Sequence, residues 1–291
     1  MNKVINVLKK FTKMHPKAQL KDYTTFKIGG KAVVVEPQSV EELVKVIDTL
    51  KTFNTKYFVL GNGSNVLFSS SGYNGIIISM KNFNRIEIHG TKVIAGAGAT
   101  LNSVIKASVD KGLKGMEDGF LIPGTVGGAV KMNASAYNYK TSDVVSGVLV
   151  LRDYKITLLS NNDCNFGYRH SNIKDGDIIL RVQFNLTHSH KKELKNRLNE
   201  ILQLRQNKIK YPSAGSVFKN ANGYFAGQLI DQLGLKGLKQ GGAMVSHEHA
   251  NVIVNLGNAT SDDVLNLIKQ IQNKIKESYD IDLQTEINLI Q

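Results

Sequence analysis

Cysteine is almost absent from this chain, and other features that mark particular protein classes are missing too. Cys164 is the single cysteine among 291 residues, so an intrachain disulfide and a zinc site built from cysteines are excluded. No apolar run approaches the ~18 residues needed for a membrane-spanning helix. The basic segment 1–16 lacks a continuous apolar stretch and a small-residue cleavage site, so we do not expect a secretory signal. A reducing, cytoplasmic setting fits this sequence.

Acidic residues are fewer than basic ones, and the formal net charge is +13. Such a balance suits nucleic acid, an anionic membrane surface or small polyanions such as nucleotides. The lysines are scattered, without a long like-charge block and without the interleaved aromatic residues that stack on bases. Phosphorylated small ligands are therefore favoured over a polymer. A basic composition without functional meaning stays open.

The length allows two domains or more, and helical and strand periodicities alternate along the chain. The predicted strands are 32–36, 57–60, 66–70, 76–79, 86–89, 93–95, 145–151, 155–159, 179–186, 252–255 and 285–290. The predicted helices are 40–50, 101–111, 192–208, 224–233 and one that begins after Thr260 or Ser261. Ser39 with Glu42 predicts a capping box on the first of these helices. The polar segment 187–191 predicts a domain boundary.

One glycine-rich stretch runs from Leu121 to Asn138 and combines Gly124, Gly127 and Gly128 with the rigid Pro123. Glycine weakens both helices and strands. This composition therefore predicts a backbone that lies flat against a large ligand rather than a regular element. A glycine-rich turn that only connects strands is the alternative.

A second glycine segment, Gly61–Asn65, directly follows a predicted strand. Such loops present backbone N–H groups to a pyrophosphate. The segment is not the dinucleotide fingerprint, because Val66 stands where the third glycine belongs, and it lacks the Gly-Lys-Ser/Thr of a P-loop. It is therefore a phosphate loop of another fold, or a β-turn without a ligand.

Several side chains could carry chemistry, and each has an ordinary alternative. Ser216, with Lys219 nearby, is an accessible hydroxyl outside any Gly-x-Ser-x-Gly elbow; it serves as a simple hydrogen-bond partner or as a proton donor to a carbanion. Glu286 points to solvent or into a site that raises its pKa. Arg169 binds a carboxylate or forms a surface salt bridge. The triplet 247–249, His-Glu-His, is a weak metal signal, and we predict no metal.

Motifs in one order along the chain carry a family resemblance. They are TTFKIGG at 24–30, LGNGSN at 60–65, IPGTVGGAVKMNASAYN at 122–138, YRHS at 168–171, AGSVFKN at 214–220, AGQLI at 226–230, GGAMVSHEHANVIVN at 241–255 and LQTEI at 283–287. Together they resemble the UDP-N-acetylenolpyruvoylglucosamine reductases over nearly the whole chain from about Lys21. The spacing before AGSVFKN is similar to that of the variety without an extra substrate loop. Leu121 and Ser135 depart from the family pattern, which usually has glycine at both positions.

The resemblance implies an α+β fold with a two-part FAD-binding domain of the vanillyl-alcohol-oxidase (PCMH) type and a C-terminal α+β substrate-binding domain. The implied boundaries are 1–70 and 71–188 for the two FAD-binding parts and 189–291 for the substrate domain. A return of the last strand to the FAD domain is left open. The implied activity is NADPH-dependent reduction of an enolpyruvyl ether to UDP-N-acetylmuramate for peptidoglycan, in the cytoplasm, by a monomer that binds neither nucleic acid nor membrane.

The resemblance also implies roles for individual residues. The catalytic ones are Arg169, Ser216 and Glu286. Non-covalent FAD is held by Gly61, Asn62, Gly63, Ser64, Asn65, Ile122, Pro123, Gly124, Thr125, Gly127 and Gly128. The substrate is bound by Tyr168, Lys219, Asn220, Arg205, Lys208 and His249. The alternatives are an FAD-dependent alcohol or sugar oxidase of the same fold and a basic nucleic-acid-binding module.

Overall fold

The computed structural model describes residues 1–204, 209–220 and 223–291. The α-helices in this part of the chain are α1 Asn2–Leu8, α2 Val40–Thr52, α3 Leu101–Asp110, α4 Val126–Lys131, α5 Thr141–Val144, α6 Asn161–Cys164, α7 Lys191–Leu204, α8 Ala226–Gln232 and α9 Ser261–Tyr279. Short 3-10 helices cover Leu20–Tyr23 and Glu117–Gly119.

The strands are more numerous than the helices and mostly shorter. They are β1 Met14–Gln19, β2 Lys31–Val35, β3 Tyr57–Leu60, β4 Val66–Phe68, β5 Ile76–Ser79, β6 Ile86–His89, β7 Lys92–Gly96, β8 Leu113–Lys114, β9 Ser135–Ala136, β10 Tyr139–Lys140, β11 Val145–Arg152, β12 Lys155–Ser160, β13 Ile178–Asn185, β14 Thr187–His188, β15 Ser213–Ser216, β16 Lys239–Gln240, β17 Ala243–Val245, β18 Val252–Asn255 and β19 Asn288–Ile290.

The chain divides into two compact units, each made from three separate segments. Unit 1 consists of Met1–Met14, Val35–Asn62 and Ile77–Gln206. Unit 2 consists of His15–Val34, Gly63–Ile76 and Asn207–Gln291. The predicted boundaries after residues 70 and 188 stay a prediction.

Unit 1 contains a five-stranded sheet in the order β12-β11-β13-β7-β6. All its pairings are antiparallel, with Val148 opposite Val182 and Val182 opposite Ala95. The side chains of Val148 and Val182 are fully buried, together with the α3 residue Val104 and the α4 residue Val130. The apolar face of this sheet and these helices therefore form one core.

Unit 2 contains a four-stranded sheet in the order β15-β18-β17-β16. The residues that line the core-facing side of α9 are Val264, Leu267, Ile268, Ile271 and Ile275, and all are buried. Thr260 and Asp263 form a complete capping box at the start of this helix. The last strand, β19, pairs in parallel with β4, so its partner lies far back in the sequence.

Most predicted elements are confirmed to within a few residues, and three differ instructively. The glycine-rich stretch contains a helix, α4, so the prediction of no regular element is wrong for Val126–Lys131. The backbone of Gly127 packs against Ala97, where an added Cβ would lie 3.1 Å from the Ala97 Cβ. The predicted strand 285–290 is a strand only from Asn288. The carboxylate of Glu42 accepts the N–H of Gln38, not that of Ser39, so only half of the predicted capping box on α2 forms.

None of the described helices is both long and apolar enough to span a membrane. The predicted helix 192–208 is present as α7, and its end at 205–208 lies outside the described residues. Part of the polar segment 187–191 is strand β14, which pairs with β8.

Candidate functional site

In unit 1 the glycine-rich stretch is fixed on one side by backbone hydrogen bonds. The N–H groups of Val126 and Gly127 donate to the carbonyls of Ala99 at 2.8 Å and Ala97 at 2.9 Å. Gly124 has φ +120°, a conformation that requires glycine, and its carbonyl accepts the Leu101 N–H at 3.1 Å. The start of α4 is therefore held in place by the segment 97–101.

In unit 1, two of the predicted cofactor-binding glycines, Gly61 and Gly128, lie beside the hydroxyl of Thr125. A Cβ on Gly61 would collide with the hydroxyl of Thr125, and Thr125 is itself 6% exposed. Gly128 is exposed, and among the described residues beyond its own helix a Cβ there would find only this hydroxyl within 4 Å, at 3.7 Å. The backbone beside Gly128 is thus bare and open, as a flat ring system lying against it would require. Of these positions, the open backbone at Gly128 leaves room for the ring system of FAD.

Arg169 occupies the tip of a tight turn in unit 1. Gly167 and His170 form an antiparallel bridge across this turn, and Arg169 has φ +53°, in the left-handed region. Its guanidinium lies 5.5 Å from the ring centroid of Tyr168. The side-chain amide of Asn133 donates to the Gly167 carbonyl at 3.0 Å, so the turn is anchored to the end of the glycine-rich stretch.

In unit 2 the remaining part of the first glycine loop is packed by its own chain. Gly63 has φ +61°, and a Cβ there would clash with the backbone of Tyr23 and Thr24. The N–H of Thr25 donates to the Gly63 carbonyl at 3.2 Å. Gly63 is therefore needed for close packing of the TTFKIGG segment, and its contact with a cofactor stays a prediction.

Ser216 is the last residue of β15, and the strand bends before it. The register between β15 and β18 shifts between Ser213 and Ser216, and Gly215 has φ +76°. Such a bulge turns a side chain away from the regular alternation of a strand. The hydroxyl of Thr25 donates to the Ser213 carbonyl at 2.7 Å and secures the start of this strand.

The structure brings the Ser216 and Glu286 segments together. The N–H of Glu286 donates to the carbonyl of Val217, next to Ser216, at 2.7 Å, and Phe218 forms an antiparallel bridge with Thr285. Ser216 and Glu286 are both partly buried. A hydroxyl and a carboxyl are thus carried on adjacent, hydrogen-bonded backbones.

Asn65 ties the first glycine loop to the Glu286 segment within unit 2. Its side-chain amide donates to the Glu286 carbonyl at 3.2 Å. Its own carbonyl accepts from the backbone N–H of Asn288 at 3.0 Å and from the Asn288 side chain at 3.1 Å. A residue predicted from the resemblance to hold the cofactor therefore also fixes the segment that carries Glu286.

The candidate substrate residues of unit 2 are held by the same framework. The N–H of Lys219 donates to the Gln284 carbonyl at 2.9 Å, and Asn220 accepts the N–H of Ala226 at 3.0 Å. His249 Nδ1 accepts the N–H of Asn251 at 3.2 Å. Although part of its ring is exposed, burial of the rest and the charge of Lys236 lower the pKa of His249. These effects favour the neutral form of this histidine.

The remaining predicted site residues differ in their exposure. Asn62 and Pro123 are exposed, whereas Ser64 and Ile122 are partly buried. Arg205 and Lys208 lie outside the described residues. Among the side chains that the structure describes, no group of three or more histidine, cysteine, aspartate or glutamate residues is arranged to hold a metal.

Sequence patterns did not single out several residues that hold the site. Asn251 holds the backbone just after Ser216, and Asn133 holds the backbone just before Arg169. Thr25 secures the start of β15. All three lie within the motifs that carry the resemblance, which is the one signal that could have indicated them. Periodicity and composition contain no such signal, because these contacts join residues distant in the sequence.

Comparison with known protein families assigns the two kinds of domain. The model of the UDP-N-acetylenolpyruvoylglucosamine reductase C-terminal domain matches residues 207–290. The model of an FAD binding domain matches residues 31–154. The α+β, FAD-binding fold predicted from the motifs is thus confirmed.

Two relatives and one solved structure cover nearly the whole chain. The UDP-N-acetylenolpyruvoylglucosamine reductase of Caldanaerobacter subterraneus subsp. tengcongensis is 41% identical over 100% of this chain and 97% of its own length. That of Clostridium kluyveri is 39% identical over 93% of this chain and 91% of its own length. The crystal structure of UDP-N-acetylenolpyruvylglucosamine reductase from Thermus caldophilus superimposes with a TM-score of 0.86 and 36% identity, covering 97% of this chain and 100% of that one. This chain belongs to the UDP-N-acetylenolpyruvoylglucosamine reductase family.

Proposed function

We propose that this chain is an FAD-dependent oxidoreductase that uses NADPH to reduce the enolpyruvyl ether of UDP-N-acetylglucosamine-enolpyruvate to UDP-N-acetylmuramate, a peptidoglycan precursor. The observation that supports this most directly is the backbone pairing of the Ser216 and Glu286 segments in a chain similar to these reductases over its full length. When bound, FAD would carry two electrons from NADPH to the substrate.

The FAD site is proposed from both glycine segments. In unit 1 the exposed backbone at Gly128 suits the flat ring system, and Gly61 packs against the Thr125 hydroxyl beside it. Backbone amides of the loop 61–65 suit the pyrophosphate. The remaining predicted cofactor contacts are Asn62, Gly63, Ser64, Asn65, Ile122, Pro123, Gly124 and Gly127.

The proton donor of the proposed reaction is Ser216. Reduction of the enolpyruvyl double bond adds a hydride to the terminal carbon and develops negative charge at the carbon beside the carboxylate. The Ser216 hydroxyl delivers the proton to that carbon, which completes the addition of two hydrogens across the bond. The bulge at Gly215 supports this role, because it sets the direction of the serine side chain.

The enolate-like charge is stabilised by Arg169 and Glu286. Preorganised donors aimed at developing charge supply much of the rate enhancement of many enzymes. Arg169 contributes a permanent positive charge. Glu286 can stabilise this charge only with its carboxyl protonated, because only a protonated carboxyl can donate a hydrogen bond. Tyr168, Lys219, Asn220, Arg205, Lys208 and His249 are the proposed substrate contacts.

Replacing Ser216 separates the two halves of the reaction. In Ser216→Ala we expect NADPH to reduce the bound flavin at the wild-type rate, because the serine takes no part in that step. Reoxidation by the enolpyruvyl substrate should slow by ~10²-fold or more, the usual cost of losing a general acid. Stopped-flow absorbance of the flavin under anaerobic conditions measures both rates.

Ser213→Ala is the matched control, since Ser213 lies on the same strand and contributes its carbonyl to the Thr25 contact. It should leave both rates close to wild type. Reoxidation of Ser216→Ala at the wild-type rate would remove the proton-donor role. Wild-type protein that turned over a simple sugar with steady oxygen consumption, and not the enolpyruvyl nucleotide, would favour the oxidase alternative.

We also propose that the chain acts as a monomer in the cytoplasm, on small molecules and not on nucleic acid. The net charge of +13 then serves FAD, NADPH and a UDP-sugar, all of which are polyanions. Light scattering after size-exclusion chromatography tests the monomer. Binding to RNA with a steep salt dependence would favour the nucleic-acid alternative.

A further inference from the structure

Ser135 and Arg169 make a direct side-chain contact within unit 1. Ser135 lies in β9, which pairs with β10 so that Ser135 stands opposite Lys140. Its hydroxyl accepts a hydrogen bond from Nη1 of Arg169 at 3.1 Å. Ser135 is partly buried. The guanidinium is therefore held by a residue that is distant in sequence and fixed by a strand pairing.

The backbone that carries Arg169 is also fixed from the Ser135 side. Asn133, two positions before Ser135, donates from its side chain to the Gly167 carbonyl at 3.0 Å. Ser171, just beyond the turn, donates from its hydroxyl to the Lys131 carbonyl at 2.8 Å. One short segment therefore holds the turn at both ends and the arginine head group at its tip.

A long arginine side chain gains little precision from a fixed backbone alone. Such a side chain has many accessible rotamers, and the guanidinium sits at the far end of several rotatable bonds. The five N–H donors of a guanidinium form a rigid planar fork, so the hydrogen bond to Ser135 and the nearby Tyr168 ring restrict the position of the whole fork.

We infer that Ser135 is a positioning residue for Arg169: it orients the guanidinium toward the carboxylate and the developing charge of the substrate. The inference rests on the proposed function, in which Arg169 stabilises that charge. Ser135 itself touches neither the reacting atoms nor their charge in this role. Its removal should therefore lower the rate of the substrate step while the arginine stays present.

The kinetic test compares Ser135→Ala with Ser135→Thr, which keeps a hydroxyl and suits a strand. In Ser135→Ala we expect flavin reoxidation by the enolpyruvyl substrate to slow by about 10-fold, within the ~10²-fold that a 1 Å misplacement can cause. NADPH-driven flavin reduction should be unchanged, and Ser135→Thr should recover most of the lost rate. Ser142→Ala is the matched control, because the Ser142 hydroxyl contacts Asp143.

A structural test needs no turnover. In protein labelled with ¹⁵N-arginine, the Arg169 Nε–H resonance, assigned by its loss in Arg169→Lys, reports how tightly the side chain is held. Its heteronuclear NOE should fall in Ser135→Ala and be retained in Ser135→Thr and Ser142→Ala. An unchanged NOE in Ser135→Ala, or a Ser135→Thr variant as slow as Ser135→Ala, would overturn the positioning role.

Arg169→Ala separates this inference from the proposed function. The double variant Ser135→Ala/Arg169→Ala should be no slower than Arg169→Ala alone, because the serine acts only through the arginine. An additional slowing in the double variant would show that Ser135 acts independently and would refute the inference. If Arg169→Ala itself kept the wild-type rate, the inference would fall with the role of Arg169, whereas a wild-type protein inactive on the enolpyruvyl nucleotide would refute the proposed function itself.

Discussion

Asn251 is 5% exposed, and its side chain hydrogen-bonds to both backbone groups of Phe218, as a neighbouring strand would. Its Oδ1 accepts the Phe218 N–H at 2.9 Å, and its Nδ2 donates to the Phe218 carbonyl at 2.8 Å. The Asn251 carbonyl also accepts the Val217 N–H at 2.9 Å. The backbone of the two residues after Ser216 is thus hydrogen-bonded to Asn251. These bonds fix the position of Ser216.

Replacing Asn251 by alanine should destabilise unit 2 by about 2–6 kcal/mol, because two buried backbone groups lose their partners at ~1–3 kcal/mol each. Denaturant unfolding followed by circular dichroism measures this change. Asn273→Ala is the control, since Asn273 is exposed on α9 and alanine favours helix there. A loss below about 0.5 kcal/mol, the usual range of a surface substitution, would mean that water or relaxation replaces the Asn251 contacts.

Single residues also mark the limit of sequence-based prediction at the site. The family motifs located Arg169, Ser216 and Glu286 in the chain. They could not show that Arg169 adopts φ +53° or that Ser135 receives its hydrogen bond. Both features depend on a strand pairing and a turn that meet only in the folded unit, so no local pattern encodes them.

Among the elements, those with a clear apolar periodicity were predicted best. Strands β3, β5, β6 and β18 have the predicted bounds. Strands β3, β5 and β18 are short, mainly apolar runs, and β6 alternates apolar and polar residues. Helix α4 was missed because its glycines oppose helix formation locally, and the tight contact of Gly127 with Ala97 is a tertiary feature. Strand β1 was missed too, since Pro16 and the polar residues around it give no strand pattern.

An ion pair joins α7 to the 3-10 helix at 117–119 in unit 1. Arg197 Nε donates to a carboxylate oxygen of Asp118 at 2.6 Å, and the two side chains are 32% and 13% exposed. Burial of Asp118 raises its pKa, but hydrogen bonding and charge from Arg197 outweigh burial, so the pKa lies below its ordinary value. Arg197 also contacts Glu200 at 2.8 Å.

Asp118→Asn should lower the free energy of unfolding by about 1–2 kcal/mol at neutral pH, the low end for a charge-assisted hydrogen bond because Arg197 is partly exposed. A carboxyl with a lowered folded pKa stabilises the fold above its unfolded pKa of ~3.9 and loses this contribution as pH falls through the folded value. The difference between wild type and Asp118→Asn should therefore shrink below about pH 4.

Urea titrations at several pH values measure this difference, and Asp110→Asn serves as the control. Asp110 contacts Lys195 of the same helix α7 at 3.7 Å, but both side chains are more than half exposed. Its removal should change stability by less than ~0.5 kcal/mol at any pH. A pH-independent loss in Asp118→Asn would assign the effect to packing instead of charge.

At the scale of the whole chain, each family model matches one continuous stretch of sequence, whereas each compact unit combines three separate segments. The C-terminal family model matches 207–290, yet the core of unit 2 also includes Phe26, Ile28 and Leu67. Asn255, in β18, donates from its side chain to the carbonyls of Phe26 at 3.1 Å and Lys27 at 3.3 Å. The C-terminal segment therefore folds around residues contributed by two earlier segments, which hydrophobic periodicity alone could not reveal.

This assembly predicts that a core mutation near the N-terminus weakens the C-terminal elements. Phe26 is 1% exposed, and Phe26→Ala should cost about 3–5 kcal/mol. Hydrogen exchange of the full chain should then accelerate in β18 and α9, while β11 and β13 keep their protection. The matched substitution Phe184→Ala, at a fully buried residue of β13, should do the reverse, because Phe184 belongs to the core of unit 1. If either substitution accelerated exchange equally in all four elements, the two units would unfold together. Their cores would then not be independent in stability.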